Sequence, residues 1–134
     1  MTIERRLSPK LPEIVADPSQ LHQVLVNLVV NAIQAMPAGG RVRIDTYAVD
    51  RQVVLSIEDD GVGMSADVLK KIFIPFFTTK DVHEGTGLGL PVVHGIVTSH
   101  GGTVSVESAP GRGARFEIRL PQAPTEPSEE GLPQ

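Results

Sequence analysis

Residues 17–37, DPSQLHQVLVNLVVNAIQAMP, decide the fold of this chain. Asp17 followed by Pro18 is a strong helix start, because aspartate caps the first backbone N–H groups and proline suits the first turn. Pro37 and the glycines after it end the segment, so we predict a helix over residues 19–36. Two apolar rows flank a polar stripe of Gln20, Gln23, Asn27, Asn31 and Gln34. The stripe indicates a helix that lines a pocket, although a half-exposed helix with a solvated face is the simpler interpretation.

Outward from this helix, alternation, caps and turn residues predict the remaining elements. We expect an edge strand with a proline-containing end, four further strands and two further helices, over residues 2–16, 41–49, 53–59, 103–108, 114–120, 66–72 and 90–100. Residues 73–86 have no clear period and suggest a long loop. The domain is expected over residues 1–121, and the Pro/Glu-rich residues 122–134 are expected to be disordered. Paired strands with helices between them predict an α+β sandwich, with helices on one face of a mixed or antiparallel sheet.

The composition limits the function. The 134 residues are 40% hydrophobic but only 4% aromatic, which suits one domain with an aliphatic core. The net charge of −4 makes a nucleic acid a poor candidate partner, and we expect none. Cysteine is absent, which excludes disulfide scaffolds and thiol-bound metals. No apolar run approaches the roughly 18 residues of a membrane span.

A carboxylate stands beside a glycine turn in residues 57–64, IEDDGVGM. Asp59 lies at a predicted strand end, and the glycines after it let a flat ligand approach the backbone closely. A carboxylate there could accept a hydrogen bond from the exocyclic amine of adenine. Taken alone, a plain strand-to-loop turn explains the same residues more simply.

A second glycine-rich segment, GTGLGL at residues 85–90, opens a predicted helix. Backbone N–H groups and the positive end of the helix dipole would favour an anion there. The glycine spacing does not fit a dinucleotide-binding fingerprint, and the Gly-Lys-Ser/Thr ending of the common phosphate loop is missing. A flexible loop remains an equal alternative for this segment alone.

Read together, these segments point to one family. An amide-rich helix, the 57–64 turn, an aromatic segment IFIPFFTTK and the 85–90 loop follow one another in this order. The chain thereby resembles the catalytic ATP-binding domain of a two-component sensor histidine kinase. The family's asparagine box, first glycine box, phenylalanine box and second glycine box are matched by residues 21–37, 59–64, 72–80 and 85–90. The motifs NAIQAM and PFFTTK are similar to those of the nitrogen-regulation and oxygen-sensing branch. The resemblance covers about residues 13–121.

The resemblance implies a fold, a cofactor pair and a set of site residues. The fold is the two-layer Bergerat sandwich of the GHKL superfamily, with ATP and Mg²⁺ under a lid of roughly residues 65–86. Asn31 would bind Mg²⁺, Asn27 would assist at the phosphates, and Asp59 would receive the adenine amine. The other expected nucleotide-binding residues are Gly61 and Gly63 at the adenine wall, Lys80, and the lid hinge and amides of Gly85, Thr86, Gly87, Leu88 and Gly89.

Two departures from the family pattern matter. Many sensor kinases carry Lys or Arg where this chain has Gln34, so we expect phosphate neutralisation to fall on Lys80, together with Asn27 as the catalytic pair. None of the four histidines, His22, His83, His94 and His100, has the expected acceptor context of His followed by Glu or Asp. We therefore expect an excised catalytic domain that does not phosphorylate itself.

The expected activity is transfer of the γ-phosphoryl of Mg·ATP to a histidine on a separate dimerisation domain. The expected partners are ATP or ADP, that phosphoacceptor domain, and a response-regulator receiver domain. The fragment should be monomeric and cytoplasmic, and its parent a homodimer that is either membrane-anchored or soluble. Three alternatives stay open: a GHKL-type ATPase, a serine-kinase anti-sigma factor, and a nucleotide-binding module inactive in isolation. An ATPase needs a glutamate base where this chain has Asn27, and an amide cannot take a proton at pH 7.

Overall fold

The structure is a computed structural model that describes residues 2–74 and 89–123. In chain order its elements are β1 (Thr2–Leu7), α1 (Pro18–Gln34), β2 (Arg41–Val49), β3 (Gln52–Asp59), α2 (Ala66–Leu69), α3 (Gly89–Ser99), β4 (Thr103–Ser108) and β5 (Ala114–Pro121). Every helix and strand expected from the sequence is present; most ends shift by at most three residues, whereas β1 ends well before the predicted residue 16. Within the described ranges, no helix is both long and apolar enough to cross a bilayer.

The strands form one five-stranded sheet in the order β1-β2-β3-β5-β4. β1 runs parallel to β2, whereas the other neighbours are antiparallel, so the sheet is mixed. Asp50 and Arg51 connect β2 to β3 with positive φ angles, which gives the tight turn that a two-residue hairpin needs. The helices pack on one face of this sheet, which confirms the predicted α+β sandwich.

β1 is an edge strand, as expected, but it is shorter than predicted. Regular pairing ends at Leu7, and Ser8 still donates to the carbonyl of Thr46 at 3.2 Å. Pro9 and Pro12 follow, and proline has no N–H group to continue a ladder. The prolines therefore lie beyond the end of the strand, whereas the prediction had placed them within it.

α1 begins as the sequence predicts. The Asp17 carboxylate accepts a hydrogen bond from the Ser19 N–H at 2.9 Å, and Pro18 occupies the first turn. The helix ends at Gln34, two residues earlier than predicted. The first apolar row is buried against the sheet and consists of Val24, Leu28 and Ala32. The second row is exposed and consists of Val26, Val30 and Ile33.

The core lies between the sheet and the helices and is almost entirely aliphatic. Phe116 on β5 is its one large aromatic side chain among the fully buried residues of the described ranges. Around it pack side chains from each layer, among them Val42, Ile57 and Ile118 from the strands and Val93 and Val97 from α3. An aliphatic core is what the low aromatic content predicts.

His100 joins the end of α3 to the start of α1. Its Nε2 accepts a hydrogen bond from the Asp17 N–H at 3.1 Å, and its Nδ1 lies 2.8 Å from the Ile96 carbonyl oxygen. The contact fixes the two long helices relative to each other at one end.

The outer face of the sheet carries a charge network centred on Glu117. Its two carboxylate oxygens accept hydrogen bonds from Tyr47 Oη at 3.1 Å, from Arg115 Nη2 at 3.0 Å and from Arg119 Nε at 3.0 Å. Arg115 also donates from Nε to Ser56 Oγ at 3.1 Å. Burial raises the pKa of Glu117, but the hydrogen bonds from Arg119 and Tyr47 and the arginine charges outweigh it and leave that pKa lowered. This face satisfies its charges within the protein.

The end of the chain remains attached beyond β5 for at least two residues. Gln122 donates to the Arg51 carbonyl at 3.0 Å, and Ala123 donates to the Glu13 carbonyl at 2.7 Å. Residues 124–134, which make up most of the tail expected to be disordered, lie outside the described residues.

Candidate functional site

α1 contacts both glycine-rich segments, one near its middle and one at its end. Asn27 Nδ2 donates to the Gly89 carbonyl at 3.3 Å, and Gly89 is the first residue of α3. The Ala35 carbonyl, just beyond the helix, accepts from the Val62 N–H at 3.0 Å. Positions 27, 31 and 35 are four apart and so follow one line along the helix, about 12 Å long. Asn31 is half-buried and lies on this line between the two contacts.

Asp59 ends β3 on the face of the sheet that the helices cover, where it is only 3% exposed. Its Oδ1 accepts a hydrogen bond from the Gly61 N–H at 2.8 Å. Among the ion pairs of residues 2–74 and 89–123, none includes Asp59. A carboxylate that is shielded from water without a cation is costly, so this group is suited to a donor brought by a ligand.

The pKa of Asp59 reflects the same environment. Burial raises it, and the nearby charges of Asp60 and Glu58 act in the same direction. Hydrogen bonds from the backbone N–H groups of Gly61 and Ala114 lower it, but the net shift is upward. The acceptor is therefore held in place by backbone donors, and no cation of the described part of the chain compensates its charge.

Asp60, the next residue, has the opposite environment. Its side chain is 49% exposed and lies 3.7 Å from Arg41 Nε. Two adjacent aspartates of the glycine turn thus face different surroundings, one the helix layer and one the solvent. The structure places Asp59, the residue predicted from the sequence, on the helix side.

The turn after Asp59 requires glycine at two positions. A Cβ on Gly61 would lie 2.5 Å from the Ala35 carbonyl oxygen and 2.8 Å from Asp59 Oδ1. Gly63 has φ +73, and a Cβ there would overlap the Ala109 carbonyl oxygen. Such contacts are too short for any side chain, so the turn can be made only without one. This is the physical reason for the glycine spacing.

The β4–β5 hairpin supports this turn from the other side, which sequence reasoning did not foresee. Ser108 Oγ accepts from the Met64 N–H at 2.8 Å and donates to the Gly113 carbonyl at 2.6 Å. Gly111 donates to the Val62 carbonyl at 2.7 Å. The glycines at 111 and 113 were the available signal in the sequence, but they do not indicate which segment the hairpin contacts.

Several predicted site residues lie outside the described residues. They are Lys80, Gly85, Thr86, Gly87 and Leu88, together with Phe76 and Phe77 of the aromatic segment. The first part of the predicted lid is described: α2 is capped by Ser65, and Ile72 is buried in the core. The Phe73 ring lies 5.3 Å from the His94 ring of α3. This part of the lid therefore packs against the domain.

The described residues contain no cluster of three or more His, Cys, Asp or Glu side chains that could hold a metal ion. An amide oxygen such as that of Asn31 is a neutral ligand suited to Mg²⁺, which keeps several waters and binds phosphate oxygens as well. The donor set therefore fits a cation shared with a phosphorylated ligand, and it does not fit a cation bound by the protein alone.

Comparison with known proteins identifies the class. The profile of the histidine kinase-, DNA gyrase B- and HSP90-like ATPases matches residues 16–124. The chain belongs to that family, which confirms the resemblance found in the sequence.

Within the family, the chain is similar to sensor histidine kinases. It is 53% identical over 111 residues to the sensor histidine kinase ZraS of Escherichia coli O157:H7, a match that spans 83% of this chain and 24% of that protein. The chain thus spans about a quarter of the length of the ZraS kinases it matches.

Solved structures agree. The catalytic domain of histidine kinase ThkA, free of nucleotide, is 33% identical with a TM-score of 0.79, covering 90% of this chain and 78% of that one. Full-length ShkA in complex with AMPPNP is 34% identical with a TM-score of 0.80, covering 92% of this chain and 26% of that one. The fold is therefore that of a histidine kinase catalytic domain.

Proposed function

We propose that this domain binds Mg·ATP and transfers the γ-phosphoryl group to a histidine on a separate dimerisation and phosphoacceptor domain of its kinase. The observation that carries the proposal is Asp59, a buried carboxylate near one end of α1 that has backbone donors and, within residues 2–74 and 89–123, no cationic partner. The other end of the same helix line meets the start of α3 through Asn27 and Gly89. Family membership and the AMPPNP complex of ShkA support ATP as the ligand.

Asp59 would select the base. Adenine presents an exocyclic amine that can donate to a carboxylate, whereas guanine presents a carbonyl at that position and would face the negative charge. A hydrogen bond to an ionised acceptor contributes about 1.5–3 kcal/mol. Gly61 and Gly63 would form the wall beside the base, because no side chain projects from the turn at either residue.

Asn31 would hold Mg²⁺ together with the phosphates, and Asn27 would lie beside them at the start of α3. When bound, Mg²⁺ neutralises charge on the phosphate oxygens. Lys80 and the backbone of Thr86, Gly87, Leu88 and Gly89 remain the proposed contacts on the lid side of the phosphates. Gln34 carries no charge, so this proposal leaves phosphate neutralisation to Lys80 and the cation.

Phosphotransfer is favoured over hydrolysis by the chemistry of Asn27. Its amide donates to the Gly89 carbonyl, and an amide does not accept a proton near neutral pH. Activation of water would need a base at this position, whereas an imidazole nucleophile from another domain brings its own lone pair. The phosphorylated domain would then pass the group to a response-regulator receiver, within a homodimeric parent kinase.

The test is phosphotransfer in trans. The domain is incubated with γ-labelled ATP and Mg²⁺, with and without the dimerisation and phosphoacceptor domain of the parent kinase. We expect acid-labile label on that domain's histidine, and none on this chain. A matched acceptor with its histidine changed to glutamine should stay unlabelled. Label on His22 or His94 of this chain, or rapid phosphate release with no acceptor present, would contradict the proposal and favour an ATPase.

A further inference from the structure

The glycine turn at residues 61–64 is held between two other segments, α1 on one side and the β4–β5 hairpin on the other. From the α1 side, the Ala35 carbonyl accepts the Val62 N–H at 3.0 Å. From the hairpin side, the contacts come from Gly111 and from the hydroxyl of Ser108. Among the residues that the structure describes, Ser108 is the one whose side chain joins this turn to the hairpin by hydrogen bonds.

We propose that Ser108 is a positioning residue for recognition of the nucleotide base, and that it acts by fixing the turn that carries Gly61 and Gly63 beside Asp59. The inference rests on the proposed function, because it assumes that Asp59 receives the adenine amine. It adds a residue 49 positions further along the chain, on a different strand, to the determinants of base selectivity.

The hydroxyl of Ser108 has its hydrogen-bonding capacity matched on both sides. Its proton goes to the Gly113 carbonyl at 2.6 Å, and its oxygen accepts the Met64 N–H at 2.8 Å. Both partners are backbone groups, one on the hairpin and one at the end of the turn. Alanine at position 108 would take this partner from both half-buried groups, and the loss of a hydrogen bond costs more the less water can replace it.

The backbones of the turn and the hairpin are in direct contact, which leaves little room for side-chain packing between the two segments. A Cβ on Gly63 would overlap the Ala109 carbonyl, and a Cβ on Gly113 would overlap the Asp59 carbonyl. No side chain fits between the segments, and their separation therefore depends on hydrogen bonds. Asp59 is tied to this turn through the Gly61 N–H, so a shift of the turn would reach the carboxylate.

Ser105 offers a matched control for Ser108. It lies on the same strand, β4, but is exposed on the opposite face of the sheet, away from the turn. The variants Ser108→Ala and Ser105→Ala thus remove the same hydroxyl from the two faces of one strand. The probes are Mg·ATP and the triphosphate of purine riboside, which lacks the exocyclic amine.

We expect Ser108→Ala to weaken ATP binding about tenfold in calorimetric titration, and to weaken binding of the amine-free analogue much less. The preference for ATP over the analogue should therefore narrow. Ser105→Ala should bind both nucleotides as the unmodified domain does. In parallel, amide hydrogen exchange should become faster at Met64 in Ser108→Ala and stay unchanged in Ser105→Ala.

The outcomes separate this inference from the proposed function. If the unmodified domain does not bind ATP, the proposed function fails. If it binds ATP with a clear preference and Ser108→Ala keeps that preference, only the role of Ser108 is overturned. An equal loss of both nucleotides would also overturn it, since that pattern reports general damage. Should Ser108→Ala not fold, Ser108→Thr retains the hydroxyl and must keep the preference; a folded Thr variant without the preference overturns the inference.

Discussion

Asp59 and Glu117 are both largely buried carboxylates on inner strands of the sheet, yet they lie on opposite faces and have opposite surroundings. The Glu117 side chain is 15% exposed and is bonded to Arg115, Arg119 and Tyr47, and its pKa is lowered. Asp59 is 3% exposed, has backbone donors, and its pKa is raised. One charge is compensated within the fold and stabilises it. The other has no cationic partner among the described residues, and under the proposed function its partner is the ligand.

The comparison predicts that one of these two residues mainly affects ligand binding and the other mainly affects the stability of the fold. Removing the Asp59 charge should weaken ligand binding and spare the fold, while removing the Glu117 charge should weaken the fold and spare binding. Each variant is the control for the other, because Asn and Gln preserve the shape of the original side chain.

The largest effect is expected for nucleotide binding by Asp59→Asn. Loss of a charge-assisted hydrogen bond should raise the dissociation constant of ATP about 10- to 100-fold. Calorimetric titration of ATP and GTP checks this, with Glu117→Gln measured beside it and expected to bind as the unmodified domain does. Equal affinity of the unmodified domain for ATP and GTP would remove the basis of the prediction.

A smaller effect is expected for Asn31→Ala, which tests the helix between the two glycine segments. Binding of Mg·ATP should fall about tenfold more than binding of ADP without metal, because the lost oxygen belongs to the metal's ligands. Gln23→Ala, an exposed change in the same polar stripe of α1, should alter neither affinity. Equal losses for both ligands would mean that Asn31 supports the fold instead.

The fold was predictable to the extent that it depends on local chemistry. Asp17 and Pro18 mark the start of α1 by capping, and alternation marks the strands. The helix end was placed two residues late, because the turn before Pro37 continues beyond the last helical residue. The parallel pairing of β1 with β2 has no local signal of this kind.

The same distinction between local signals and long-range contacts applies to the candidate site. Asp59 and Asn31 stood out because their residue types fit the family's boxes, and their roles stay predictions. Ser108 did not, because its contact with Met64 spans 44 residues and appears only once the sheet is assembled. The Glu117 network was also missed, although Arg115, Glu117 and Arg119 alternate along one strand and so share a face.

A moderate effect on stability is expected for Glu117→Gln. The lowered pKa means that ionised Glu117 stabilises the fold above the ordinary glutamate pKa, and that this contribution is lost as pH falls through the folded-state value. At pH 7 we expect Glu117→Gln to lower the free energy of unfolding by about 1–2 kcal/mol. The effect should lie toward the low end of this range, because the two arginines are partly exposed to solvent. Denaturant melts should show the difference at pH 7, and the difference should shrink as the pH falls below the ordinary glutamate pKa. A Gln variant as stable as the unmodified domain at pH 7 would mean that the charge of Glu117 does not contribute to the free energy of unfolding.

The smallest effect, and the one with the opposite sign, is expected for the stability of Asp59→Asn without nucleotide. A raised carboxyl pKa means that folding is opposed by the ionised form, so the cost is present above the folded-state pKa and disappears below the ordinary aspartate range. Asparagine carries no charge and can still accept the Gly61 N–H. The variant should therefore melt roughly 1–3 °C higher than the unmodified domain at pH 7–8, and the two should converge near pH 3. The same excess of Mg·ATP added to both should reverse the order at pH 7, since the ligand stabilises the tighter-binding protein more than the weaker-binding one. A variant that melts lower than the unmodified domain at pH 7 without nucleotide would show that the Asp59 charge is compensated in the free protein, and the contrast with Glu117 would no longer hold.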